Sequence, residues 1–198
     1  AMFLGAGLLA DVFFVAFRIP NTFRRLFSEG TFNAAFVPSY SSLLDNKKTS
    51  QKFANNIFTL LIIGLLFLVF VIEMLMPLFV FLIAPGFEDN YQKMELAITL
   101  TRITFPFLMF ISLASFFSAI LNSHNKFAVA SATPIILNIL LIGVLLFGKI
   151  LNDELVYYLS YAVTISGILQ LILLYFFTKK YLSLKISLLF KIDNKVKL

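Results

Sequence analysis

The chain has 198 residues, of which 60% are hydrophobic and only 13% are charged, and its formal net charge is +6. A soluble domain is about 45–50% apolar and about 25% charged, so this composition excludes a water-soluble globular protein. The absence of cysteine and the single histidine exclude a disulfide framework and most metal or nucleophile sites. We therefore expect a membrane protein that is not an enzyme and has no catalytic residue, metal site or cofactor.

Five apolar stretches predict an all-α, polytopic transmembrane helix bundle. A helix needs about 20 apolar residues to cross the hydrocarbon core, and each of the last four stretches is long enough. Strands are not expected, because no run alternates apolar and polar residues and open strand edges are excluded from lipid. The predicted spans are residues 11–37, 53–84, 96–121, 127–147 and 155–178. Residues 179–198 are predicted to form a basic cytoplasmic segment, with an interfacial helix over residues 182–190.

The distribution of charge predicts the orientation of these spans. Connectors alternate between the two sides of the membrane, and one side collects ten lysines: Lys47, Lys48, Lys52, Lys126, Lys179, Lys180, Lys185, Lys191, Lys195 and Lys197. The other side holds two lysines and five acids: Lys93, Lys149, Glu88, Asp89, Glu95, Asp153 and Glu154. Positive residues stay on the cytoplasmic side during insertion, so the lysine-rich side is predicted to be cytoplasmic. The basic balance then needs no nucleic acid partner, although it favours contact with anionic membrane lipids.

The first stretch differs from the others because it carries five ionisable residues: Asp11, Arg18, Arg24, Arg25 and Glu29. One ionised group at mid-membrane costs at least about 2.5–3.5 kcal/mol, so these side chains are expected to face a protein interior or a water-filled cavity. At 100° per residue, four of them and Thr22 fall within about 60° of one another on a helix. Arg24 points elsewhere, unless a kink at Pro20 rotates it inward.

Two interpretations of these charges are open. In the first, they line a cationic cavity that binds an anionic substrate, because guanidinium stays charged and grips phosphate through two parallel hydrogen bonds. In the second, Asp11 pairs with Arg18 and Arg25 pairs with Glu29, so that the charges hold helices together. Three arginines against two acids leave a surplus positive charge, which favours the cavity.

Other residues carry weaker signals. Glu73 is expected at the outer interface or beside an arginine, and Arg102 is expected to extend towards the interface. His124 lies in a short connector and is predicted to be solvated. The Phe-rich spacing of the first stretch indicates lipid-facing packing. Polar residues of the spans are predicted to bond between helices: Ser112, Ser115, Ser118, Asn122 and Asn138.

The first stretch closely resembles the start of the MurJ/MviN family of lipid II flippases. The resemblance is carried by residues 5–7, Asp11, residues 13–21, residues 24–30, Phe32 and residues 35–38. It continues through residues 84–87, 103–106, 112–115, 119–122, 134–138, 162–164, Gly167 and residues 169–170. The likeness therefore extends over the whole chain.

This resemblance implies a MATE-like bundle of about fourteen helices in two lobes. The chain would then be an N-terminal fragment holding helices two to six, without the family's first helix and second lobe. The implied activity is movement of lipid II, an undecaprenyl-pyrophosphate-linked disaccharide-pentapeptide, from the inner to the outer leaflet by alternating access. The implied location is the bacterial cytoplasmic (inner) membrane.

The resemblance also implies roles for individual residues. By position, Arg24 matches the family's cavity arginine in helix two and Asp11 matches its functionally important aspartate. Glu29 matches a glutamate of the same helix, and Arg18 stands where relatives carry lysine. Arg25, which periodicity favours, is a further candidate for substrate binding.

Two alternatives remain open at this stage. One is another exporter of the same superfamily, which moves drugs or a different polyprenyl-linked saccharide. The other is a membrane scaffold that binds a partner in cell-wall synthesis and transports nothing.

Overall fold

A computed structural model describes residues 7–29, 31–148 and 154–186. These residues form helices, turns and coil without a strand, so the all-α prediction is confirmed. The helices are α1 (Leu8–Glu29), α2 (Thr31–Ser41), α3 (Lys47–Met74), α4 (Met76–Ile83), α5 (Tyr91–Thr104), α6 (Phe107–Ser123), α7 (Phe127–Ala132), α8 (Pro134–Leu146) and α9 (Leu155–Thr178). A 3₁₀ turn covers Pro85–Phe87.

In the described part of the chain, four helical stretches are long and apolar enough to cross a membrane. They are Lys47–Met74, Tyr91–Ser123, Phe127–Leu146 and Leu155–Thr178, which fall on the last four predicted apolar stretches. The chain is therefore a multi-pass membrane protein. The α5–α6 stretch lies at the centre of the bundle, because 72% of its most apolar 18 residues are buried, against 17% for those of α3. Of the described helices, α9 packs most extensively against α6.

Prolines interrupt or enter several helices, and at Pro20 a threonine hydroxyl from a neighbouring helix compensates for the lost main-chain hydrogen bond. Pro20 lies inside α1 and cannot donate to the carbonyl of Ala16 four residues earlier. Thr104 Oγ1 from α5 donates to that carbonyl at 2.8 Å. The helix continues through Pro20, and its middle is tied to α5 by this bond.

A second bond of this kind joins α9 to the break between α5 and α6. The last carbonyls of a helix have no partner within it, and Ile103 lies in the last turn of α5. Thr164 Oγ1 of α9 donates to the Ile103 carbonyl. Close packing continues beside it, because a Cβ atom placed on Gly167 would lie only 2.7 Å from Cδ2 of Phe107.

Aromatic rings form the core where α2, α3 and α6 meet. Phe36 packs edge-on against Phe116 with ring centroids 5.3 Å apart, and Phe58 contacts both Phe116 and Phe117. All four rings are buried. The interpretation of the first Phe-rich stretch as lipid-facing is therefore wrong for Phe36, although Phe14 is 62% exposed.

Three connectors meet at one end of the bundle, which we call the basic end. The His124 ring stacks on Tyr181 at 4.3 Å and meets the edge of Tyr40 at 6.0 Å. Seven lysines of these connectors and their flanking helices are exposed: Lys47, Lys48, Lys52, Lys126, Lys179, Lys180 and Lys185. Lys149, Asp153, Lys191, Lys195 and Lys197 lie outside the described residues.

The segment after α9 is held against α3 in an irregular conformation. Asn55 Nδ2 donates to the Ser183 carbonyl at 3.2 Å, and Asn55 Oδ1 accepts from the Lys185 main-chain nitrogen at 3.1 Å. Leu182 is buried. The predicted interfacial helix is wrong over residues 182–186, and its remainder lies outside the described residues. A helix would use the Ser183 carbonyl and the Lys185 main-chain N–H in its own hydrogen bonds, but here both are bonded to Asn55.

Candidate functional site

An exposed stripe runs along α1. Asp11, Phe14, Arg18 and Thr22 are all exposed, and their spacing of three, four and four residues places them on one helical face. The opposite face is buried and includes Val12. The three predicted stripe members whose side chains are described therefore share one exposed face.

The positions of Arg24, Arg25 and Glu29 belong to the last two turns of α1. Their side chains lie outside the described residues. Their assignment to substrate binding, like that of Asp11 and Arg18, stays a prediction.

Asp11 is paired with a lysine from a different helix. Lys93 Nζ of α5 lies 2.8 Å from Asp11 Oδ2. The same Nζ lies 4.3 Å from the centre of the Phe87 ring, and the Lys93 main-chain nitrogen donates to Asn90 Oδ1 at 3.0 Å. The pairing of Asp11 with Arg18 in the second, less favoured interpretation is therefore wrong, because Lys93 holds the carboxylate at the end opposite the basic end.

Arg18 has no ion-pair partner among the described residues. Its main-chain carbonyl accepts from Thr22 Oγ1 at 2.8 Å, a bond that involves the helix backbone and not the guanidinium. The positive charge of Arg18 is therefore solvent-accessible and lies two turns along α1 from Asp11. The residues of α1 between them are apolar.

Nothing in the sequence marked Lys93 as a partner of Asp11 beyond its place in an acidic connector. Asp11 and Lys93 are 82 residues apart, and no local pattern links them. Only the packing of α1 against α5 brings the two charges together.

Glu73 and Arg102 form a second electrostatic neighbourhood. Arg102 of α5 is exposed and interacts electrostatically with Glu73 of α3, without coming within ion-pair distance. Glu73 Oε1 is buried and lacks a hydrogen-bond partner among the described residues. Glu73 therefore has Arg102 nearby but forms no ion pair with it among the described residues, and its favoured place at the outer interface stays a prediction.

His124 is not simply solvated, as its connector position suggested. It is partly buried between the rings of Tyr40 and Tyr181, and its Nε2 lacks a hydrogen-bond partner among the described residues. Burial lowers the pKa of His124, because desolvation disfavours the charged imidazolium. The two tyrosines come from distant parts of the sequence, so no local pattern predicted them.

The described residues contain no group of three or more His, Asp or Glu side chains that could hold a metal ion. What the geometry offers instead is an exposed cationic position on α1. Chemically, a guanidinium with free N–H groups recognises carboxylate or phosphate oxygens.

Comparison with known proteins found one family model that matches residues 1–198, described as lipid II flippase MurJ. A probable lipid II flippase MurJ from Rhizobium tropici is 41% identical over 178 residues, covering 87% of this chain and 33% of the relative. The corresponding protein of Rickettsia prowazekii is 37% identical, covering 91% of this chain and 36% of the relative. The chain thus spans about a third of the length of these curated relatives.

A solved structure shares the same arrangement of helices. It is described as lipid II flippase MurJ in an inward closed conformation, and it matches with a TM-score of 0.71 and 27% sequence identity. The match covers 93% of this chain and 39% of that structure.

Proposed function

The chain belongs to the lipid II flippase MurJ family, and from that premise we propose that it works as part of a flippase for a lipid-linked peptidoglycan precursor. In this proposal, the transporter lies in the bacterial cytoplasmic membrane and moves undecaprenyl-pyrophosphate-linked muropeptide from the inner to the outer leaflet. The observation that carries the proposal is the exposed α1 stripe, on which Arg18 has no carboxylate partner among the described residues.

A diphosphate is the natural counter-charge for such a stripe. Hydrogen bonds between guanidinium and phosphate are charge-assisted and roughly twice as strong as neutral ones. An unpaired guanidinium is costly on a lipid-facing surface, so an exposed Arg18 is best accommodated in a polar cavity. The diphosphate of the substrate would supply the missing negative charge when it enters.

Arg24 is the principal substrate-binding residue in this proposal, with Arg18 and Arg25 beside it. Glu29, which periodicity predicts on the same face, would limit how tightly the headgroup is held, because a site that must release its substrate cannot bind it too strongly. The basic end of the bundle would face the cytoplasm, where the substrate is loaded.

The pair between Asp11 and Lys93 supports the same picture. Seven residues of helix separate Asp11 from Arg18, a rise of about 10 Å. Because Lys93 neutralises Asp11 at 2.8 Å, that carboxylate repels an approaching diphosphate less than a free one would. The pair also fixes the outer end of α1 to α5.

We further propose that this chain forms part of one lobe of a two-lobed transporter. An exposed charged stripe within a membrane needs a facing wall, and a second lobe would provide it. Rocking of the two lobes would then expose the cavity alternately to each side of the membrane.

The test is to introduce Arg24→Ala and Arg18→Ala into a full-length protein that carries this chain. We expect both variants to insert normally and to fail to support growth of a flippase-depleted strain. Arg18→Lys should retain growth because it keeps the positive charge, and Thr22→Ala should retain growth because it changes the same stripe without removing a charge.

Binding of lipid II to the purified variants, measured by native mass spectrometry, separates the alternatives. A flippase that binds lipid II through Arg24 and Arg18 should bind it more weakly in both alanine variants than in Thr22→Ala. Normal growth of both alanine variants at wild-type protein levels would remove the two arginines from the mechanism. A membrane scaffold, or an exporter of another substrate, would show no binding of lipid II by the wild type.

A further inference from the structure

A small polar cavity lies inside the bundle between α6, α8 and α9, away from the α1 stripe. Its volume is about 30 Å³, and one water molecule needs about 10–15 Å³ of such space. Four polar side chains line it: Ser115, Ser118, Thr133 and Gln170. A polar cavity of this size within membrane-length helices needs an occupant, because empty cavities in proteins are apolar.

Gln170 has an unsatisfied amide at this cavity. Its side chain is 1% exposed, and Nε2 has no hydrogen-bond partner among the described residues. A buried donor without a partner carries a substantial free-energy penalty. The amide therefore points to a ligand that can accept a hydrogen bond.

Two of the three hydroxyl groups of the cavity, those of Ser115 and Thr133, present the opposite chemistry. Ser115 Oγ donates its hydrogen to the Ile111 carbonyl at 3.0 Å. Thr133 Oγ1 donates to the Ala130 carbonyl, which Pro134 leaves without its usual main-chain donor. Both hydroxyl hydrogens are used within their own helices, so both oxygens offer lone pairs to the cavity.

The occupant must therefore accept a hydrogen bond from Gln170 and donate hydrogen bonds to hydroxyl oxygens. A metal cation would leave Nε2 without an acceptor, and an anion would face the hydroxyl lone pairs. Water has two hydrogens and two lone pairs, and it meets both demands. We propose that this cavity is a binding site for one ordered water molecule that joins α6, α8 and α9 through Ser115, Thr133 and Gln170.

The position of the site suggests why it is there. Pro134 separates α7 from α8, and a break in a membrane helix exposes main-chain groups that need polar partners. A water molecule beside the break can exchange partners as the helices shift, whereas a fixed side chain cannot.

The decisive experiment compares single and double variants of the purified full-length protein in detergent micelles. Gln170→Met keeps the size of the side chain and removes its amide. With water bound, Gln170→Met and Ser115→Ala should each lower Tm by about 1–2 °C, and the double variant should lose clearly less than the sum. If the cavity is dry, Gln170→Met should raise Tm, because it removes an unsatisfied amide.

Ser112→Ala is the matched control for Ser115→Ala. Ser112 is also buried on α6 and donates to its own helix at 2.7 Å, but it does not line the cavity. Its effect should add to that of Gln170→Met. Additive losses for Ser115→Ala as well, or a rise in Tm with Gln170→Met, would overturn the proposal.

Two further measurements keep the proposal testable if a variant fails to fold. A Tm of the wild type that rises in sodium chloride relative to choline chloride would indicate a bound cation and overturn the proposal. A structure at a resolution that shows other buried waters should reveal a density peak within about 2.7–3.2 Å of Gln170 Nε2. Its absence would also overturn the proposal.

Discussion

Pro20 in α1 and Pro134 at the start of α8 each remove the donor for a main-chain carbonyl, at Ala16 and Ala130 respectively. At Pro20, the replacement donor is Thr104 from another helix, so the bond also ties α1 to α5. At Pro134, the replacement donor is Thr133 from the same segment, so the bond ties nothing together and a polar cavity lies beside the break.

The comparison separates two ways in which a membrane helix tolerates proline. A donor from a neighbouring helix closes the gap and fixes the helix in place, which suits the segment that carries Asp11 and Arg18. A local donor satisfies the carbonyl without adding a bond to a neighbouring helix. We therefore regard the α1–α5–α9 contact as the rigid part of this bundle, and the surroundings of Gln170 as its adaptable part.

The largest effect should come from filling a close contact between α9 and the start of α6. Gly167→Ala places a Cβ atom 2.7 Å from Phe107 Cδ2 and 3.1 Å from Phe110 Cβ, and Phe107 is fully buried. Overpacking of this kind costs about 2–3 kcal/mol of unfolding free energy. Unfolding of the purified protein in mixed micelles, followed by circular dichroism, measures the loss.

Gly143→Ala in α8 is the control, because nothing lies within 4 Å of a Cβ atom at that position. Alanine favours helix by up to about 1 kcal/mol relative to glycine, so stability should stay level or rise. Equal losses for the two substitutions would show that the α6–α9 contact is not as tight as we describe.

A smaller effect should follow from removing the bond across the Pro20 break. Thr104→Val leaves the Ala16 carbonyl without a donor in a buried contact, and we expect a loss of about 1–2 kcal/mol. Thr101→Val is the control, because the buried Thr101 hydroxyl donates to Ala97 within its own helix. Its loss should be about 0.5 kcal/mol.

Restoring the main-chain donor at residue 20 tests whether Thr104 acts by replacing it. Pro20→Ala supplies a main-chain N–H for the Ala16 carbonyl, so Thr104→Val should be nearly harmless when combined with it. If Thr104→Val costs the same with and without Pro20, the hydroxyl stabilises the bundle for another reason.

The sequence predicted those features that depend on residues close together in the chain. Hydropathy summed over about 20 residues identified the four membrane-length helices, because any such helix must be apolar whatever it packs against. Helical periodicity placed Asp11, Arg18 and Thr22 on one exposed face of α1. Neither inference requires knowledge of a partner.

The features that the sequence missed depend on packing between segments far apart in the chain. Two of the serines expected to bond between helices, Ser112 and Ser115, donate to their own helix instead. The bonds between helices are made by Thr104 and Thr164. A hydroxyl can reach either its own helix or a neighbour, and only the packing decides which. The Asp11–Lys93 pair was missed for the same reason, because it depends on how α1 packs against α5.

The smallest effect concerns the basic end, where an aromatic contact joins connectors that are far apart in sequence. Burial between Tyr40 and Tyr181 lowers the pKa of His124 in the folded chain. The unfolded chain therefore binds a proton first as the pH falls, and stability is lost as the pH drops below about 6.5, the unfolded pKa. Above that pH the imidazole is neutral in both states, and its contribution is fully present.

His124→Phe tests this assignment because it keeps a ring between the two tyrosines and cannot titrate. Between pH 7.5 and 5.5, the wild type should lose more thermal stability than His124→Phe does, and the difference between the two isolates the histidine. Identical pH profiles would mean that His124 is as well solvated in the folded state as in the unfolded state. In that case the contact of His124 with Tyr40 and Tyr181 would not exclude water from the basic end, whereas the Thr104 bond lies in a buried contact.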